Sequence, residues 1–397
     1  MFDTLVPLAP DPILGLMAKF RADSNPEKID LGVGVFRNEQ GQTPVLDCVK
    51  KAEQLILQEE NSKAYVGPAG NVQFNRLLAE LVLGSEHSAL AEQRNVVLQT
   101  PGGCGALRVA AQLIEKIDAQ ARIWVSNPTW ANHVPLLGDA GIRIETYPYY
   151  DYSLHTLQFE AMCSQLRQVK KGDYVLLHAS CHNPCGADLS VEQWREVADI
   201  AAHIGFIPFV DMAYQGFGQG VAEDAFGLRL LAERVPELLF AVSCSKNFGL
   251  YRERTGAVGV ITATPLQAEV VASHLARLVR GIYSMPPSHG AMIVEKILSD
   301  PGLRADWDQE LKQMRERIIS VRKGFVSQMQ QRGIGDQFDF ILREQGMFSF
   351  LGLTPEQVER MASQFSVYMV DSSRINVAGL NQTNITAFSD ALAQVLI

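Results

Sequence analysis

One stretch of this chain gathers groups that could do covalent chemistry: Ser243-Cys244-Ser245-Lys246-Asn247-Phe248-Gly249-Leu250-Tyr251-Arg252-Glu253-Arg254. The hydroxyls of Ser243 and Ser245 and the guanidinium of Arg254 suit a phosphate dianion. An amine such as Lys246 beside a phosphate site is what an enzyme needs to hold a phosphorylated aldehyde as a Schiff base. A solvated lysine in a polar loop is the other reading of the same residues.

Further candidates lie along the chain. Pro101-Gly102-Gly103-Cys104-Gly105-Ala106 would aim free backbone N–H groups at an anion if it joins a strand to a helix. A tight turn without a ligand has the same composition. The motif matches neither the dinucleotide nor the nucleoside-triphosphate glycine pattern, so neither cofactor is expected. Asp211 ends the apolar run Ile207-Pro208-Phe209-Val210, where it could face a cationic ring nitrogen or merely cap a helix. Tyr214 and Asn183 could hydrogen-bond a phenolic oxygen on such a ring, and Trp130 could stack on it or fill core space. Arg374, beside an alternating apolar segment, could clamp a carboxylate or sit solvated at a strand edge.

The elements that must position these groups follow from the hydrophobic pattern. Short apolar runs at residues 95–99, 122–126, 174–178, 207–211, 238–243 and 257–261 read as buried strands. Amphipathic stretches such as 106–117 and 191–203 read as helices between them. This alternation predicts an α/β fold, a mostly parallel sheet flanked by helices. The polar candidates fall at the ends of several strands, where open α/β sheets bind ligands. Residues 44–313 are expected to form a large domain. A long charged amphipathic helix over 303–332 leads out of it. Segments 338–342, 347–351 and 374–377 suggest a smaller α/β unit, completed by residues 1–43 with 314–397.

Composition bounds the partners. A formal net charge of −9 argues against nucleic acid and anionic membranes, while leaving room for a local cationic pocket. No run approaches the ~18 apolar residues of a membrane span. Met1 to Leu16 carries Asp3 and Asp11 without a basic, apolar leader pattern, so a cytoplasmic protein is expected. The six cysteines are scattered, which favours reduced thiols over disulfides. His178, Cys181, His182 and Cys185 are close in sequence, but their spacing fits no zinc or iron–sulfur pattern, and no metal is expected.

Taken in order, the motifs resemble the aspartate and aromatic amino-acid aminotransferases, pyridoxal-phosphate enzymes of fold type I. The similarity runs essentially the whole length, through Leu31-Gly32-Val33-Gly34-Val35, Tyr65-Val66-Gly67, Gly102 to Arg108, Asn127 to His133, Cys181-His182-Asn183-Pro184, Asp211 to Phe217, Ser243 to Arg254, Tyr283 to Pro287, Gly346 to Ser349 and Arg374 to Gly379. The resemblance implies that Lys246 holds pyridoxal 5'-phosphate and shuttles the substrate proton. It implies that Asp211 keeps the pyridine nitrogen protonated with His133 behind it, that Tyr214 and Asn183 bind the ring oxygen, and that Trp130 stacks on the ring. Phosphate would be held by Gly103, Cys104, Ser243, Ser245 and Arg254, with Tyr65 from a neighbouring subunit. Arg374, with Asn183 and Gly34, would bind the α-carboxylate, and Trp130 would border the substrate. Arg280 of the neighbour would meet a distal carboxylate, so a homodimer with shared sites is implied.

The sequence departs from the family pattern at a few positions. Cys104 and Cys185 stand where hydroxyl residues are usual. Ile282 and Met285 replace polar residues near Arg280, and Ala64 precedes Tyr65 where asparagine is common. The less polar surroundings favour an aromatic-amino-acid aminotransferase that also accepts aspartate, with 2-oxoglutarate as amino acceptor. The alternatives are a strict aspartate aminotransferase or a related decarboxylase or lyase. A cofactor-binding gene regulator would be expected to carry a basic DNA-binding segment, which this sequence does not display.

Overall fold

The computed structural model describes residues 2–7 and 12–396. Met1, residues 8–11 and Ile397 lie outside the described residues, so the reading of the N-terminal stretch is only partly covered. The centre is a seven-stranded sheet. Its strands in chain order are β1 (Asn95–Pro101), β2 (Arg122–Asn127), β3 (Arg143–Pro148), β4 (Tyr174–His178), β5 (Ile207–Met212), β6 (Leu238–Ser243) and β7 (Thr255–Ile261). Their spatial order is β1-β7-β6-β5-β4-β2-β3. All neighbours pair in parallel except β7, which runs antiparallel to both β1 and β6.

The side-chain period of two explains why the strands read as continuous apolar runs. Val175, Leu177, Val210 and Phe240 enter one hydrophobic cluster. Leu176, Phe209, Leu239 and Ala241 enter another on the opposite face. Helix α1 (Gly102–Ile117) covers the second face with Leu107, Ala110, Leu113 and Ile114, and α2 (Val191–Ile204) covers the first with Trp194, Val197 and Ala201. Both faces are buried, so an isolated change of one residue in strand register would still leave apolar groups in contact, and the loops must fix the alignment.

Helix α3 (Pro265–Ile282) packs on the second face through Ala268, Leu275 and Val279, and α4 (Pro301–Gln331) runs away from the sheet. A third cluster joins Val321, Phe325 and Met329 of α4 to Ile29, Leu31, Ile375 and Phe388. There β8 (Phe348–Phe350) pairs antiparallel with β9 (Arg374–Asn376). The apolar segment 338–342 lies in a 3-10 helix, Gly335–Leu342, rather than in a strand.

Two local differences from the sequence reading matter. The glycine-rich segment is the first turn of α1 itself, which starts at Gly102 rather than at residue 106. Glycine's low helix propensity argues for a turn there, yet the strand end and the rest of α1 carry the segment into helix. Strand β3 was not anticipated, because its residues alternate poorly and most are only partly buried at the sheet edge.

Candidate active site

The parallel strands end at one edge, and the antiparallel β7 begins there. That reversal brings Arg254, just before β7, beside Ser243 at the end of β6 and Gly102 after β1: Gly256 pairs with both Ser243 and Thr100. The result is a pocket of about 260 Å³. It is lined by Gly34, Gly103, Cys104, Trp130, Asn183, Asp211, Tyr214, Ser243, Ser245, Lys246, Arg254 and Arg374. Groups from eight separate chain segments thus converge, as the strand-end argument expects.

One side of the pocket is built to hold an anion. Gly102 has φ +69°, and a Cβ there would approach Nη2 of Arg254 to 2.8 Å. At Gly103 a Cβ would come within 3.2 Å of the Ser243 side chain. The backbone is therefore left bare beside the N-terminus of α1, where unpaired N–H groups and the helix dipole favour negative charge. Arg254 donates Nη1 to Tyr251 O at 3.1 Å and approaches Ser245 Oγ at 3.4 Å, which aims the guanidinium across the cup. Cys104 is partly exposed within it.

The floor is a chain of hydrogen bonds. Asp211, buried at the end of β5, lies 3.1 Å from His133 Nε2. Thr129 Oγ1 lies 2.8 Å from His133 Nδ1 and 3.3 Å from His178 Nε2. The consistent assignment has Thr129 donating to His133 and His133 donating to Asp211. Burial works to raise the Asp211 carboxyl, but the hydrogen bond from His133 and the nearby Lys246 ammonium outweigh it and hold it below the ordinary value. Burial pushes His178 down to about 3, so it is a neutral ring. Lys246 Nζ lies 4.7 Å from the centre of the Tyr214 ring. Burial lowers its ammonium below the ordinary lysine value while Asp211 opposes that shift.

Across the pocket, Arg374 donates Nη2 to Gly32 O at 2.6 Å and stacks over Phe348 at 4.6 Å. Its Nε and the Oδ1 of Asn183 are buried without partners in the protein. Buried polar atoms left unpaired cost free energy, so both point to a ligand that completes them.

Tyr65 and Arg280 are not brought into this pocket. Tyr65 is 93% exposed and lines a separate surface hollow with Tyr283 and Met285. Arg280 is exposed and bonded to Ser284. The structure also adds residues that carried no assignment from sequence: Leu107, His178, Tyr251 and Phe348 line the pocket. Tyr251 and Phe348 lay inside the quoted motifs, so proximity in sequence was the available signal. His178, weighed above as a metal ligand, bonds instead to Thr129, and Cys185 Sγ lies 3.1 Å from His182 Nδ1. Among the described residues no group of three such side chains could hold a metal ion, and no helix is long and apolar enough to cross a membrane.

Residues 26–392 match the family model described as aminotransferase class I and II. The chain is 46% identical over 396 residues to an aspartate aminotransferase of Escherichia coli, with 100% of both chains covered. It is 45% identical over 395 residues to an aromatic-amino-acid aminotransferase of Paracoccus denitrificans, again with 100% of both covered. Its fold matches the crystal structure of an aromatic-amino-acid aminotransferase from Burkholderia pseudomallei covalently bound to pyridoxal phosphate, with a TM-score of 0.98, 40% identity and 100% coverage of both chains. Site geometry, fold and sequence agree, and the chain belongs to the class I and II aminotransferases.

Proposed function

We propose that this protein is a pyridoxal-phosphate aminotransferase that moves the amino group between L-aromatic amino acids, or L-aspartate, and 2-oxoglutarate. The observation that carries the reading is a single pocket holding Lys246, Asp211, a bare-backbone anion cup and Arg374. The cofactor fits the residues present: the cup for its phosphate, the ionised Asp211 for its ring nitrogen, and the Tyr214 hydroxyl and Asn183 amide N–H for its ring oxygen.

When bound, the cofactor supplies an aldehyde that couples to amines and a cationic ring that withdraws electrons from the substrate's α-carbon. Gly103, Cys104, Ser243, Ser245 and Arg254 hold the phosphate. Asp211, kept ionised by His133, favours a protonated ring nitrogen because opposite charges stabilise each other. Tyr214 and Asn183 would donate to its ring oxygen, and Trp130 would pack against its ring. Arg374, with Asn183 and the Gly34 backbone, fixes the substrate carboxylate and thereby the direction of the α-C–H bond. Lys246, its ammonium destabilised by burial, takes that proton as general base and returns it as general acid.

Tyr65 and Arg280 complete the site from a second copy, a reading supported by their exposure away from their own chain's pocket. Tyr65 would add a donor to the phosphate, and Arg280 would bind the distal carboxylate of aspartate or 2-oxoglutarate. The apolar lining of Leu107, Trp130 and Phe348 supports aromatic donors over a strict aspartate enzyme. The six free cysteines suit a reducing compartment, and we place the enzyme in the cytoplasm.

The purified protein should be yellow, and L-tyrosine, L-phenylalanine or L-aspartate should bleach it with release of the matching 2-oxo acid. Borohydride followed by peptide mapping should find the reduced adduct on Lys246. A colourless, unlabelled protein after incubation with the cofactor refutes the reading. Carbon dioxide or an elimination product in place of the oxo acid would favour a decarboxylase or lyase.

A further inference from the structure

The carboxylate side of the pocket is held by a buried cation that does not touch it. Arg322, on α4, is 3% exposed. It donates Nη1 to Ile341 O at 3.1 Å and to Ser349 Oγ at 2.7 Å, and Nη2 to Gly346 O at 2.9 Å and to Phe348 O at 2.7 Å. Glu344, equally buried, faces it at 3.7 Å and accepts from Ser349 Oγ at 2.5 Å and from Tyr150 Oη at 2.8 Å. Every member of this set has partners, which makes a buried polar network rigid rather than merely costly.

The segment so fixed joins two sides of the site. Phe348 carries the Arg374 guanidinium on its ring, and β8 aligns Phe350 with Arg374. Gln345 N donates to Gly186 O at 2.7 Å, in the loop that presents Asn183. Gly186 has φ +72°, and a Cβ there would stand 2.4 Å from Phe348 O, so the two loops touch backbone to backbone. Tyr150 ties the same network to the hairpin that follows β3.

We propose that Arg322 and Glu344 are positioning residues for the substrate carboxylate: they lock the 344–349 segment so that Arg374 and Asn183 keep one spacing across the pocket. The inference rests on the functional reading above, since it takes Arg374 and Asn183 as the carboxylate clamp. Of the groups assigned to the cofactor it reaches only Asn183; Asp211, Lys246 and the anion cup are held by other segments.

The test uses the holoenzyme and the variants Tyr150→Phe, Glu344→Gln, Arg322→Lys and Arg322→Met. Binding of 3-phenylpropionate, a carboxylate without an amino group, is measured by calorimetry beside steady-state kinetics and cofactor affinity. Tyr150→Phe, which removes the hydroxyl's hydrogen bonds to Glu344 and His155, should weaken 3-phenylpropionate binding and raise KM for donor and oxo acid about fivefold. Its kcat should stay within about twofold and its cofactor affinity should be unchanged. Glu344→Gln should shift KM further, and Arg322→Lys should retain part of what Arg322→Met loses. Unaltered KM and 3-phenylpropionate binding in Tyr150→Phe and Glu344→Gln overturns the proposal. So does a cofactor affinity that falls in step with KM, since that marks general loosening. A wild-type protein that neither transaminates nor binds 3-phenylpropionate overturns both this inference and the functional reading.

Discussion

The two sides of the pocket are organised in opposite ways. Behind Asp211 the polar groups satisfy one another through His133, Thr129 and His178. Facing them, Arg374 and Asn183 keep polar atoms without partners. The first side is preorganised to hold a charge state; the second is completed by whatever enters. The difference teaches that a tuned group is recognised by its partners, and a binding group by the partners it lacks.

Lys246 lines the same pocket as both sides, and its loss should have the largest effect. Lys246→Ala should lower turnover by at least about 10⁴-fold with every donor, since it removes the proposed proton carrier. Retained turnover would break the comparison outright. Next comes Arg374→Ala, which should lower kcat/KM about 10²- to 10³-fold for aromatic donors, aspartate and 2-oxoglutarate alike, as expected for loss of charge-assisted hydrogen bonds to a shared carboxylate. A loss confined to one donor would mean that the unpaired side reads the side chain instead. Smaller and selective, Arg280→Ala should raise KM for aspartate about tenfold or more while leaving that for phenylalanine nearly unchanged. Equal losses would count against a distal-carboxylate role.

The smallest effect sharpens the preorganised side. His178 titrates near 6.5 when unfolded and near 3 when folded, because burial disfavours its charged form. Between these values the unfolded chain binds more protons, so stability falls as pH drops from about 6.5 towards 3. In the variant His178→Asn, thermal unfolding followed by circular dichroism should show a shallower loss of Tm between pH 7 and pH 5. An unchanged slope would place the acid sensitivity elsewhere, with buried His182 the next group to test.

Much of this contrast was legible in the sequence, and the gaps have physical causes. Continuous apolar runs exposed β4 and β6 to their ends, because both faces are buried. Strand β3 escaped because an edge position tolerates Arg143 and Glu145, which blur the pattern. Asp211, Lys246 and the glycines were found because strand ends announce themselves. Thr129 was not singled out, since its part is to bridge two histidines that meet only in three dimensions. Arg322 was equally silent: an arginine in a charged helix looks solvated until the carbonyls it reaches are placed around it.

Cys104 gives the anion cup a chemical handle. The other five thiols are buried, and burial raises the pKa of each, so they react slowly in the folded protein. A maleimide or iodoacetamide titration of the native enzyme should therefore count one fast thiol per chain. Inorganic phosphate or bound cofactor should slow that alkylation, which would turn the cysteine of the proposed phosphate cradle into a gauge of how fully the enzyme is loaded.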